Sequence, residues 1–334
     1  MEKILIVGLG LIGGSIAKGL GKVYALDKSE ETVKQAKPFL IKGYTSLEQV
    51  DINPDAVVLC VPVSAAIGMA PALKQRFASS IFIDCCSTKR GVEKAYDNCQ
   101  YAGMHPMAGS EGSGFEHARG GLFRGAAMCI TGSGRAAEYA RTLAERLEGR
   151  AMEMDAEAHD KAVAMVSHLP HIVAGALCQA AKEQADELSI TKSLAAGGFA
   201  DLTRIADSDP TMWGAIFSDN ADMVLQSMDR FETVLHLWRE LLITKDEQKL
   251  KEYFALCKES KQSFKRNESG IFPKGGASFF FPCDKKSIPA IAKKALELGA
   301  QGVSVQDDGL KITCSQRGEL EAIKNRLQQE SIEV

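Results

Sequence analysis

Lys3-Ile4-Leu5-Ile6-Val7 runs directly into Gly8-Leu9-Gly10-Leu11-Ile12-Gly13-Gly14-Ser15, and an amphipathic segment continues to Leu20. An apolar run, a glycine turn and a helical pattern in that order predict strand, turn and helix. In such a unit Gly8 makes the tight turn, Gly10 lets backbone approach a pyrophosphate, and Gly13 permits close helix packing, with the phosphates on the helix N-terminus. The spacing alone is a weak signal. Here a second strand, Lys22 to Leu26, follows and ends in Asp27, which is the context a dinucleotide site needs. The Asp27 carboxylate suits ribose hydroxyls and repels a 2′-phosphate, so NAD is expected over NADP, with Lys28 partly offsetting the repulsion. The competing readings are a ligand-free glycine turn, and Asp27 as a turn residue before a Ser29 helix cap.

The alternation continues outward through a strand at Ala56 to Val61, a helix at Ser64 to Phe77, a strand at Ser80 to Asp84 and a helix from about Arg90. Buried runs with few charges predict a Rossmann-like, doubly wound parallel sheet covered on both faces, the first part of an α/β chain. Ligands of such sheets sit off the carboxyl ends of the strands. Val61 and Pro62 therefore join Gly8, Leu9, Gly10, Leu11, Ile12, Gly13 and Asp27 as expected cofactor contacts. Ser87, in Asp84-Cys85-Cys86-Ser87-Thr88-Lys89, either lines the same pocket or caps the next helix. Residues 103–114, Gly-Met-His-Pro-Met-Ala-Gly-Ser-Glu-Gly-Ser-Gly, then place one histidine after an apolar run and leave glycine and serine beyond it. A strand (Ala126 to Thr131), a helix (Arg135 to Leu147) and a short strand (Ala151 to Met154) complete a first domain, 1–154.

From Ala156 to about Phe264 the strand signal disappears and helical spacing takes over, which predicts a separate helical domain, 155–268. Its first helix carries His159, Ser167, His168, Pro170 and His171, and Pro170 is expected to kink or end it. Three histidines in so short a span raise the question of a metal, but no carboxylate or cysteine completes a ligand spacing, so none is expected. Ala195 to Arg204 reads as a loose small-residue segment ending in a guanidinium suited to a carboxylate. The helix Met223 to Leu242 is too apolar for one covered face, and reads as a dimer interface or a buried central helix. A polar segment, Lys258 to Gly270, precedes a tail (270–334) ordered β-α-β-β-α-β: strand Ala277 to Phe281, helix Ile288 to Leu298, strands Gly302 to Val305 and Leu310 to Cys314, helix Gly318 to Gln328 and strand Ser331 to Val334. That order is the ferredoxin-like, split βαβ arrangement.

With 45% hydrophobic and 25% charged residues the chain has an ordinary globular composition. Its net charge of −3, without a basic block, argues against a nucleic-acid partner. No apolar run of about 18 residues and no leader pattern is present, so a membrane is not expected and the chain is placed in the cytoplasm. Nine cysteines without Cys-x-x-Cys spacing read as reduced thiols, Cys85 or Cys86 being the candidates for reactivity near the site.

Five stretches then stand in the order found in one family. Residues 8–15, Asp84-x-x-Ser87-x-Lys89, His105-Pro106-Met107-Ala108-Gly109-Ser110-Glu111-x-Ser113-Gly114, Ser167-His168-Leu169-Pro170-His171 and Asp201-Leu202-Thr203-Arg204-Ile205-Ala206 resemble the prephenate dehydrogenases and their arogenate-using relatives. The resemblance covers roughly residues 1–265, and the histidine-bearing and Arg204 stretches are its specific part. It implies NAD-dependent oxidation of prephenate with loss of carbon dioxide, giving 4-hydroxyphenylpyruvate on the way to tyrosine. By the same resemblance His105 is the base and Ser87 orients the substrate hydroxyl. Arg204 and His171 hold substrate carboxylates, with Gly109, Ser110 and Glu111 at the pocket mouth, and Glu111 is expected to pair with Arg204 when substrate is absent. His159 and His168 are expected behind the site or in structural roles. A homodimer through the helical domain is implied, with Gly197 and Gly198 near the contact. The tail lies where many relatives carry an ACT regulatory domain, which implies a tyrosine effector, and has Asp284-Lys285-Lys286-Ser287 where that domain usually has Asp-x-Pro-Gly. The competing functions are arogenate oxidation and a non-catalytic NAD-dependent sensor.

Overall fold

The computed structural model describes residues 2–109, 112, 114–266, 277–283, 287, 291–292, 294–295, 298, 300, 302–306, 309–314 and 323–327. Two compact units divide the chain, Met1–Leu225 and Gln226–Val334.

The first unit is built on eight strands: β1 (Ile4–Val7), β2 (Val23–Leu26), β3 (Leu40–Tyr44), β4 (Ala56–Leu59), β5 (Ile81–Asp84), β6 (Gln100–Pro106), β7 (Ala127–Gly132) and β8 (Arg150–Glu153). They are ordered β3-β2-β1-β4-β5-β6-β7-β8. The first six in that order are parallel, as expected, whereas β7 pairs antiparallel with β6 and β8 follows β7. The reversal follows from the connection between β6 and β7. Among its described residues it holds loop and one 3-10 turn, Phe115–His117, and no crossover helix that would return the chain to the other end. The edge strand β3 escaped the sequence reading because its Ile41 and Lys42 are exposed and the run carries no apolar signal.

Alternate residues of β1 enter two different cores. Ile4 and Ile6 pack with Ile16, Val58, Ile83, Met104 and Leu143 on one face, and Leu5 and Val7 with Val57, Leu59, Leu73, Phe82 and Tyr96 on the other. The helices that supply these layers are α1 (Leu11–Leu20), α2 (Glu30–Ala36), α3 (Val63–Arg76), α4 (Arg90–Ala95) and α5 (Gly134–Arg146). Full burial on both sides is what a parallel sheet requires, and it leaves only the strand ends for chemistry.

The helical part contains α6 (Ala156–Val163), α7 (Leu169–Glu187), α8 (Ile190–Leu194), α9 (Gly197–Thr203), α10 (Pro210–Asp219), α11 (Ala221–Thr244) and α12 (Glu247–Arg266). Pro170 sits in the first turn of α7, where its missing N–H matters least, and a five-residue π turn, Ala164–His168, joins α6 to α7. The helical run thus continues through Pro170 and does not end there. Two expectations are corrected. Within the segment read as loose, Ala195 to Arg204, Gly197–Thr203 forms α9; packing against α7 overrides the poor helix propensity of Gly197 and Gly198. The polar stretch from Lys258 to Arg266 is the end of α12, because lysine and glutamate favour helix and a Lys251–Glu247 pair supports the preceding turn.

In the second unit α11 buries Leu237 but exposes Leu235, Leu242 and Ile243, so it is not a fully buried central helix. The tail strands β9 (Ala277–Pro282), β10 (Gly302–Gln306) and β11 (Gly309–Cys314) are ordered β10-β11-β9, all antiparallel. That pairing is the one a split βαβ arrangement demands of its first three strands. Phe281, Leu310 and Ile312 share a core with Ala292, Ala295, Ile323 and Leu327. The expected strand Ser331 to Val334 and the Asp284-Lys285-Lys286 turn lie outside the described residues.

Candidate active site

The glycine fingerprint has the geometry its spacing implies. Gly8 takes φ +92°, and a Cβ there would lie 2.6 Å from the Cys60 carbonyl. A Cβ on Gly13 would lie 1.9 Å from the Gly8 carbonyl, so helix and turn touch as only glycine allows. A Cβ on Gly10, the residue before α1, would meet nothing within 4 Å beyond its chain neighbours. An open glycine backbone at a helix N-terminus, between the neighbouring strands β1 and β4 whose next strands β2 and β5 lie on opposite sides, fits a dinucleotide pyrophosphate. Leu9 is buried and Leu11 and Ile12 half-buried around it. Asp27 is more than a turn residue. Its Oδ2 accepts the Leu9 N–H at 2.7 Å and its Oδ1 the Ser29 N–H at 2.9 Å, so it braces the glycine loop. Val61 and Pro62 follow β4 at the same edge, Pro62 exposed at the start of α3.

Ser87 and His105 emerge from neighbouring parallel strands, with Asp84 opposite Gly103. Ser87 is half-buried and does not cap α4. That position is served from elsewhere: Asp160 of α6 accepts the backbone N–H groups of Lys89 at 2.8 Å and Arg90 at 3.0 Å. Arg90 also reaches Asp160 through Nε, Asn220, and Asp222 at 2.6 Å, fastening α4 to α6 and the start of α11.

His105 meets a residue that sequence reasoning left behind the site. Its Nδ1 lies 2.9 Å from His159 Nε2, and His159 Nδ1 lies 2.8 Å from Asp160 Oδ1, with His159 and Asp160 both buried. Burial, then the Lys89 ammonium and the His159 and His168 rings, push the His105 imidazole well below the ordinary histidine range. His105 is therefore neutral at neutral pH. Lys89, unremarked as a charge in the sequence, is wholly buried and paired with Asp84, which also accepts from Tyr101. Burial alone would lower the Lys89 ammonium, but the Asp84 carboxylate outweighs it and the net shift is upward, so the cation persists. Its stem passes where a Cβ of Gly103 would stand, 2.5 Å from Lys89 Cδ, so glycine at 103 makes room for the charge.

A second cluster lies along α7 and α10. His171 stacks on Trp213 with ring centroids 3.6 Å apart, and its Nδ1 faces the Ser167 carbonyl at 2.9 Å. The π turn leaves that carbonyl near the His171 ring. Burial lowers the His171 pKa, with the Ser167 carbonyl opposing. His168 is buried against Trp213 and Asn220, and burial brings it down to about 4. Arg204 is exposed at the start of a 3-10 turn, Arg204–Asp207, that packs on α7. The helix α10 packs in turn on α3, which Pro62 immediately precedes. The structure thus joins His105 to His159 and His171 to Trp213. Gly109 is exposed, while Ser110 and Glu111, and with them the expected Glu111–Arg204 pair, lie outside the described residues.

Comparison with known proteins bears on the same residues. The model of the prephenate dehydrogenase nucleotide-binding domain matches residues 14–153, and that of the prephenate dehydrogenase dimerization domain matches 155–256. A prephenate dehydrogenase of Lactococcus lactis is 31% identical over 305 residues, covering 86% of this chain and 84% of its own. A cyclohexadienyl dehydrogenase of Zymomonas mobilis is 32% identical over 287 residues, 79% of this chain and 96% of its own. The crystal structure of prephenate dehydrogenase from Aquifex aeolicus, in complex with hydroxyphenyl propionate and NAD+, superposes with a TM-score of 0.74 at 32% identity, covering 79% of this chain and 98% of that one. On fold, cofactor loop and relatedness together, the chain belongs to the prephenate dehydrogenase family.

Proposed function

We propose that this site oxidises prephenate with NAD and releases carbon dioxide, forming 4-hydroxyphenylpyruvate for tyrosine synthesis. The observation that carries the reading is a neutral, half-buried His105 at the carboxyl edge of the sheet that bears the dinucleotide loop. Gly8 to Gly13, Asp27, Val61 and Pro62 hold the cofactor, which when bound supplies the hydride acceptor. His105 takes the ring hydroxyl proton through its second nitrogen, and Ser87, from the adjacent strand end, hydrogen-bonds the same hydroxyl. Arg204 and His171 receive the substrate carboxylates, with Gly109, Ser110 and Glu111 at the mouth. Once the hydroxyl carbon is a carbonyl, loss of the ring carboxylate is driven by aromatisation and asks no further group of the protein.

The direct test is the rise in reduced-nicotinamide absorbance on adding prephenate to enzyme and NAD, with carbon dioxide trapped in parallel. Arogenate in the same assay decides between the two substrates, and silence with both would leave the sensor reading. Cofactor choice is tested at Asp27. Because its carboxylate both opposes a 2′-phosphate and braces Leu9, Asp27→Ser should raise the KM for NAD and narrow the NAD-to-NADP ratio of kcat/KM. Equal use of the two by the unaltered enzyme would defeat the assignment.

The domain limits proposed are 1–154 for cofactor, 155–268 for substrate and self-association, and 270–334 for a small regulatory module whose effector is tyrosine. The helical run Ala156–Glu187 is, by length and composition, apolar enough to cross a membrane. Its match to the dimerization-domain model supports a different use. Met165, Val166 and Leu177, with Leu188, Ile190 and Leu194 beyond them, are exposed apolar residues that a second copy of the chain would cover, giving a cytoplasmic homodimer.

A further inference from the structure

We propose that His159 and Asp160 are positioning residues that fix the tautomer of His105, so that the Nε2 lone pair is the one offered to the substrate. Burial would raise the Asp160 carboxyl, but the hydrogen bonds from His159 and from the backbone of Arg90 and Lys89 hold it below the ordinary carboxylate range. It is therefore ionised and can only accept. Oδ1 takes the Lys89 N–H, and Oδ2 takes the Arg90 N–H and Nε. His159, 2.8 Å from Oδ1, must point a proton at it, which puts that proton on His159 Nδ1. The Nε2 of His159 then carries a lone pair, and 2.9 Å away it accepts from His105 Nδ1–H. A neutral His105 with its proton on Nδ1 has a bare Nε2. Each step follows from the donor and acceptor capacity of the group before it.

The chain of hydrogen bonds also has a fixed anchor. Asp160 is clamped by two backbone N–H groups at the start of α4, next in sequence to Ser87 and Thr88, so base and substrate-orienting serine are referenced to the same loop. When His105 becomes an imidazolium, its Nδ1 proton faces a neutral acceptor backed by a carboxylate, and the new charge is met without moving a side chain.

The function of this pair rests on His105 being the base, but the tautomer itself does not, and two measurements keep them apart. Long-range 15N–1H correlation spectra of the ligand-free enzyme, labelled at its six histidines and assigned with His105→Asn and His159→Gln, read the protonated nitrogen directly. We expect Nδ1–H at both His105 and His159. In Asp160→Asn the amide can present N–H to His159, reversing the chain, so the His105 proton should move to Nε2. Its kcat should fall roughly 100-fold or more while the KM for NAD and for prephenate stays within about 3-fold. His159→Gln keeps an oxygen acceptor toward His105 and should retain at least about 10-fold more kcat than His159→Leu. A resting His105 protonated on Nε2, a His105 tautomer unchanged in Asp160→Asn, or equal kcat for the Gln and Leu variants would overturn the proposal. Should the variants fail to fold by thermal melt, the spectrum of the unaltered enzyme decides alone. An Nδ1–H tautomer together with a fully active His105→Asn would instead sink only the base assignment.

Discussion

His105→Asn is expected to lower kcat by roughly 10² to 10⁴ while leaving the KM for prephenate nearly unchanged, because a general base acts in the transition state and contributes little to ground-state binding. Asparagine keeps a donor for His159 and a side chain of similar reach, so the loss should report proton transfer and not collapse of the pocket. The same base predicts an unusual pH profile. With the His105 imidazole pushed well below 6.5 by burial, Lys89, His159 and His168, kcat/KM should stay level as pH drops through 6.5 and decline only in more acidic solution. An acid limb centred near 6.5 would mean that His105 is not the titrating group. Stability must be followed alongside. His105 and His168 resist protonation when folded and accept it when unfolded, so acid favours the unfolded chain. For His168 that stability is fully present above the ordinary histidine value of 6.5 and is lost as pH falls toward about 4. Melting curves at each pH separate this from the kinetic effect.

Arg204→Ala should act in the opposite sense, raising the KM for prephenate roughly 30-fold or more with a comparatively small change in kcat. A guanidinium that holds a carboxylate in both ground and transition states gives uniform binding. A charge-assisted, bidentate contact is worth a few kcal/mol where water is thinned, and each ~1.4 kcal/mol is tenfold in affinity. Arg204→Lys should recover only part, since a point charge does not reproduce the planar fork. If Arg204 serves only the fold, the variants will melt at lower temperature with KM unaltered. That result would remove it from the substrate pocket.

The residues that could be read in advance are those whose role is local. Gly8 and Gly13 declare themselves because a turn and a helix contact within six residues need glycine, and Asp27 because it ends the very next strand. His159 did not. Its partner His105 lies 54 positions away, and the contact exists only because α6 packs beside β7 and β6. Lys89 looked like any charge ahead of a helix, and only tertiary structure shows it buried with Asp84 beneath Gly103. The sheet face was legible in the apolar runs, but the direction of β7 was not. Strand polarity is decided by the connection, and a loop without periodicity carries no sign of where it leads. Gly197–Thr203 misled for the converse reason: local propensity favoured loop, and docking on α7 won.

The π turn at Ala164–His168 sets the phase between the two histidine-bearing helices. Along an uninterrupted α-helix each residue advances about 100°, so the twelve steps from His159 to His171 would leave the two rings about 120° apart around the axis. A π turn absorbs one additional residue, which takes back about 100° and brings the two histidines to within about 20° of a common direction. The residue that looks surplus thus aligns the hydrogen-bonded partner of His105 with the ring that stacks on Trp213. Were all the residues from 164 to 168 kept but wound as a regular α-helix, everything beyond them would turn by about 100°, leaving two intact half-sites facing different ways.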